Sequence, residues 1–259
     1  YNLTVRCVMK KKIIAMFALL LLFIPSFVFA ESYDVDEYLK LDFDDDWYVF
    51  TKSNIKDNKE LEELGVSEEY MENLFKSSNV VVDAILFEED NNDTKEVFVR
   101  TTETEDLYNL NYNTDSYINE FADGFISSVK EQGIEVVNSN VYKSNNNTYV
   151  YLEYSDSNLN VIEYFTVVNG NGYAIQAQKT NSFTESEKDS FKEIIDKASF
   201  KIVKQEKDDD NDKEQEKENN KSSNYVTNII VGAVIGALVG ALYGLIYTKI
   251  KAKKNKSEK

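Results

Sequence analysis

The chain has 259 residues, no histidine, a single cysteine and a formal net charge of −17. Lack of histidine removes the commonest zinc ligand and the usual general base of hydrolase triads, and Cys7 lies ahead of the expected mature chain, so disulfides and thiolate chemistry are excluded there. Residues 31–225 carry 45 acidic and 19 basic side chains, a net of −26 that repels phosphate backbones and argues against nucleic acid as a partner.

In chain order, Met9-Lys10-Lys11-Lys12 is a positive n-region and Ile13–Phe29 an apolar h-region, with Val28-Phe29-Ala30 ahead of a cut after Ala30. This predicts a signal peptide over residues 9–30, with translation starting at Met9. An uncleaved signal anchor, placing both chain ends inside, is the alternative. Residues 31–46, ESYDVDEYLKLDFDDD, form an acidic lead-in. Asp42, Asp44, Asp45 and Asp46 are hard oxygen ligands of the kind calcium prefers, yet counting a loop from Asp34 puts Leu39 where an EF-hand needs glycine. A solvated acidic surface is the leading expectation and calcium the alternative; no other cofactor is expected.

Trp47-Tyr48-Val49-Phe50 reads as the strand on which the chain enters its core. A short helical turn over 58–65 is closed by Gly65, and a second helix follows Ser67 as N-cap, with Met71, Leu74 and Phe75 on one stripe. Val80–Phe87 is almost continuously apolar and so predicts a central strand; Glu96–Thr102 alternates, and EEDNND joins the two as a hairpin turn. A helix from Asp115 to Gln132 places Ile118, Phe121, Ala122, Phe125 and Val129 on one side and stops at Gly133. Glu135–Tyr142, Thr148–Tyr154, Val161–Val168 and Tyr173–Lys179, joined by short polar turns, predict an antiparallel meander. The last strands carry large residues on both sides, so helices are expected over both faces. Thr184-Glu185-Ser186-Glu187 is a capping box for a closing helix that buries Phe191, Ile194, Ile195 and Ala198.

Residues 204–225 are charged, with too little apolar surface to fold alone, and are expected to be a disordered linker. Residues 226–248, VTNIIVGAVIGALVGALYGLIYT, contain no charge and would reach about 34 Å as a helix, enough for a single transmembrane span. The lysine-rich tail 249–259 marks the cytoplasmic side, so the long N-terminal part is expected outside. Gly232, Gly236, Gly240 and Gly244 recur every fourth residue and make one face of the span a shallow groove. That face suits packing against a second copy or another membrane protein within the lipid bilayer.

The resulting fold class is α+β, with residues 31–203 an antiparallel sheet flanked by helices, an α/β/α sandwich, followed by the C-terminal transmembrane helix. The element order, with Trp47-Tyr48-Val49 opening, the hairpin at 80–102, Phe121-Ala122 and Phe125 on the helix, a four-strand meander and Ile194-Ile195-Asp196-Lys197-Ala198-Ser199-Phe200 at the end, resembles the PsbP/Mog1-like domain over about residues 40–203. The resemblance implies that sandwich fold and a binding or scaffolding role, and carries no site residues with it.

The lysine- and asparagine-rich composition points to the plasma membrane of a Gram-positive bacterium. The leading expectation is a membrane-anchored extracytoplasmic binding, sensing or assembly module without catalytic residues. The alternative is a carboxylate-dependent enzyme on glycans, its groove lined by strand tyrosines such as Tyr149, Tyr151, Tyr154, Tyr164 and Tyr173. Those tyrosines are equally the expected residues of a half-buried sheet.

Overall fold

The structure is a computed structural model that describes residues 30–88, 93–104, 107–144, 146–156 and 159–203. The expected signal segment, linker, membrane span with its four glycines, and basic tail therefore lie outside the described residues, as does most of the hairpin turn after Phe87. Among the described residues no helix is long and apolar enough to cross a membrane.

Chain order runs β1 (Glu31–Asp34), β2 (Leu39–Phe43), β3 (Tyr48–Thr51), α1 (Lys59–Leu64), α2 (Glu68–Ser77), β4 (Val80–Glu88) and β5 (Asp93–Glu103). A 3₁₀ turn at Leu110–Tyr112 leads into α3 (Asp115–Glu131), followed by β6 (Glu135–Lys143), β7 (Thr148–Asp156), β8 (Leu159–Val168), β9 (Asn171–Lys179), α4 (Glu185–Lys197) and β10 (Ser199–Phe200). Seven strands form an antiparallel sheet in the order β3-β4-β5-β9-β8-β7-β6, and a second sheet runs β1-β2-β10. Strands β6 to β9 pair consecutively, as a meander must.

The caps follow from local chemistry. Asn58 accepts from the N–H groups of Glu60 and Leu61 at the start of α1, and Ser67 from Tyr70 in α2. Gly65 takes φ +69° and Gly133 φ +84°, left-handed conformations that end α1 and follow α3 and that most L side chains adopt only with backbone strain. In α4 the Glu187 N–H donates to Thr184 Oγ1 at 3.3 Å, while the Thr184 N–H donates to Glu187 Oε2 at 2.6 Å. Both halves of the expected capping box are thus made.

Helices α1, α2 and α3 cover one face of the large sheet; α4 and the small sheet cover the other. On the helical face the α3 stripe packs on Val150, Phe165 and Val167, with the Phe125 and Phe165 rings stacked at 4.6 Å. Separately, α1 and α2 pack on Phe50, Val80, Ile85 and Phe98. On the opposite face Phe191 and Ile195 of α4, with Leu39, Leu41 and Phe43 of β2, meet Val97, Val99, Ile175 and Tyr164.

Two expectations need correction. Strand β4 is not central: β3 lies outside it, and the middle of the sheet is β5, β9 and β8. Its apolar run reflects cover on both faces, which a strand one in from the edge can also have. Nor is 31–46 wholly a solvated lead-in. Its first part makes β1 and β2, and the alternation Leu39-Lys40-Leu41-Asp42-Phe43 buries all three apolar side chains.

Candidate functional site

Two places on this frame concentrate polar chemistry. The first is a groove of about 190 Å³ on the α4 side, between α4 and the turn that follows β2. Val97 and Ala177 form its floor, and Trp47, Phe183, Phe191 and Ile194 supply apolar walls. Trp47 is held from below by the Phe43 ring at 5.5 Å. Asp42, Asp44 and Asp46 line one rim and Glu193 and Lys197 of α4 also line it. Asp45 is exposed and does not line it.

Deeper in, Glu187 Oε1 receives Lys179 Nζ at 2.5 Å and faces Lys95 Nζ at 3.3 Å. Burial pushes the Glu187 carboxyl up, but Lys179, the Thr184 N–H and hydroxyl and Lys95 together outweigh it and hold the pKa down to about 2. This carboxylate stays ionised and occupied, so it cannot act as a general acid near neutral pH. Among the described residues no three His, Cys, Asp or Glu side chains converge as a metal ion would need.

The second place is a line of buried polar side chains across the helical face of the sheet, between the apolar cluster under α3 and that under α1 and α2. Strand pairing sets Glu96 opposite Gln178, and Gln176 opposite Glu163. Arg100 Nη2 donates to Gln176 Oε1 at 3.0 Å. Gln176 Nε2 donates to Tyr154 Oη at 2.9 Å and closely to Glu163, and the Tyr154 hydroxyl donates to Glu163 Oε2 at 3.1 Å. Gln178 donates to Glu96 in a further close contact. Burial pushes the Glu163 carboxyl up, opposed by Gln176, Arg100 and Tyr154.

Asp83 and Glu96 stand differently. No donor from the described residues reaches either Asp83 oxygen or Glu96 Oε1. Burial pushes Asp83 up to about 7, and Glu96 is pushed well up by burial and then by the Asp83 charge, with Gln178 and Arg100 opposing. Two neighbouring buried carboxyls cannot both ionise at little cost, so the pair favours keeping a proton. With exposures of 0% and 2%, they are closed to any substrate. The tyrosines expected in a glycan groove are likewise mostly core: Tyr149, Tyr154, Tyr164 and Tyr173 are buried, and Tyr164 packs edge-on against Phe191 of α4.

Sequence reasoning singled out the aspartates of the rim but gave no site role to Lys95, Phe183, Glu187 or Lys197, because β5 and the α4 region lie far along the chain from those aspartates. The buried line did leave a signal. Asp83 interrupts VVVDAILF, Glu163 interrupts VIEYFTVV, and Gln176 and Gln178 alternate in YAIQAQK, each a polar residue inside a strand covered on both faces.

No protein-family model matches the chain, and no curated protein does. Among solved structures it is similar to the solution structure of cyanobacterial PsbP (CyanoP) from Synechocystis sp. PCC 6803, at 15% identity and a TM-score of 0.37, over 69% of this chain and 95% of that one. The likeness is one of fold.

Proposed function

We propose that the domain is a non-catalytic binding module, held outside the membrane by the span at 226–248, and that the groove beside Trp47 takes a basic side chain of a partner protein. The observation that carries this is the groove's combination of aromatic walls with an acidic rim, in a volume below the roughly 300–1,000 Å³ of small-molecule pockets. An arginine or lysine stem lies against Trp47, Phe183 and Ile194 while its cation meets Asp42, Asp44, Asp46 and Glu193. Residues 31–203 hold 37 acidic and 14 basic side chains, a net of −23 that draws such a partner in. The carboxylate-enzyme alternative finds less support, because Asp83 and Glu96 are enclosed and Glu187 is bound by lysines.

Trp47 is the single tryptophan and reports directly on the site. Full-length protein in nanodiscs titrated with acetyl-Gly-Arg-Gly-amide should shift Trp47 emission, whereas acetyl-Gly-Glu-Gly-amide should not. The D44N/D46N variant should weaken the response several-fold, and so should 0.5 M salt. Equal responses to the two peptides, or none to either, would remove the groove from the functional account.

A further inference from the structure

The two edges of the large sheet are built differently. At one end β3 has four residues, and Asn54 covers its outer backbone: the Thr51 N–H donates to Asn54 Oδ1 at 2.7 Å, and Asn54 Nδ2 donates to the Val49 carbonyl at 2.8 Å. Those are the groups an added strand would need. At the other end β6 has nine residues, pairs only with β7, and has no side chain on its outer backbone groups among the described residues. Its Asn138–Lys143 stretch is regularly paired, beyond an irregularity between Val136 and Asn138. The strand contains no proline, and its only charges are the terminal Glu135 and Lys143, the latter held by Asp115 at 2.7 Å. The devices that usually protect a long edge are thus few.

Among the described residues Val137, in the same strand, is 70% exposed. Asp115, which reaches Lys143 at the strand's other end, has the exposed Tyr112 and Tyr117 near it in sequence.

We infer that β6 is a strand-addition site that takes an extended, basic segment of a partner protein with apolar side chains at alternate positions. Main-chain hydrogen bonds to β6 supply the affinity, and the exposed Val137 meets an apolar side chain of the added strand. The net charge of −23 on residues 31–203 selects a basic segment and opposes a second copy of the same domain on this edge. This inference does not depend on the groove, which lies over β4, β5 and β9.

The test uses full-length protein in nanodiscs and the probe acetyl-Lys-Val-Lys-Val-Lys-Val-Lys-amide, read by amide hydrogen exchange. The peptide should slow exchange of amides within 136–143 at least tenfold, and the same peptide N-methylated at every residue should not. Val137→Lys should weaken binding about tenfold with unchanged unfolding by Trp47 fluorescence; should it destabilise the fold, Asn140→Lys on the same strand serves instead. Equal binding of the N-methylated peptide would reduce the effect to charge adsorption and overturn the inference. Protection of 136–143 without peptide that grows with protein concentration would place a second copy on the edge, and would overturn the choice of occupant.

Discussion

Replacing Asp83 by asparagine tests the buried proton directly. Asp83 titrates near 7 in the folded protein because of burial, against about 3.9 in an unfolded chain. The folded state therefore binds more protons than the unfolded state between those values. Stability contributed by the protonated group is fully present below about pH 4 and is lost as pH rises through 7. At about 1.4 kcal/mol per pH unit, three units set an upper bound of roughly 4 kcal/mol, shared with Glu96 because the two carboxyls titrate as a pair. Asparagine has nearly the same shape, donates to Glu96 and never ionises. The variant should match the wild type at or below about pH 4 and gain on it between there and just above pH 7, by as much as about 4 kcal/mol. In a domain of this size that corresponds to about 8–16 °C in Tm. Urea unfolding followed by Trp47 fluorescence at pH 4 and pH 8 measures the difference, and subtracting the wild type cancels the titration of the shared surface carboxylates. A pH-independent difference, or a variant less stable by the same amount at both values, would show that Asp83 is an ordinary ionised carboxylate and refute the reasoning.

Three further outcomes are expected. If Glu31–Tyr225 lies outside and Lys249–Lys259 inside, protease added to intact protoplasts should remove the domain and spare a tail epitope; a protected domain would reverse the topology. Because Asp42, Asp44, Asp45 and Asp46 do not converge as three ligands of a metal ion would, millimolar calcium should leave Tm almost unchanged at physiological salt; a site with micromolar Kd would add about 4 kcal/mol at a thousandfold excess, and a shift lost in D44N/D46N would establish one. In the span, G236I/G240I should lower association in a membrane FRET assay at matched surface expression, and equal signals would dismiss homotypic packing through Gly232, Gly236, Gly240 and Gly244.

Much of the fold was legible in sequence because it rests on local rules. The α3 stripe of Ile118, Phe121, Ala122, Phe125 and Val129 is the buried set found, since helical period alone selects it. Ser67 and Thr184 cap helices because their side chains answer N–H groups three residues away. The meander followed from short polar turns between apolar strands. What composition excluded, histidine chemistry, needed no structure at all.

Only tertiary structure decided which strands became neighbours, and that choice made both polar sites. Pairing of β5 with β9 brings Glu96 to Gln178 across 82 positions of sequence, and no periodicity specifies such a partner. The groove likewise exists because α4 crosses the sheet beside the turn after β2, setting Glu187 over Lys95 and Lys179 and opposite Trp47. Position in the sheet also settled exposure: β4 and β8 both read as buried strands, whereas β6 is open because no further strand follows it in the pairing order. Local sequence sets the conformation of a strand; which of its edges meets water depends on the last partner added, which is a property of the whole chain.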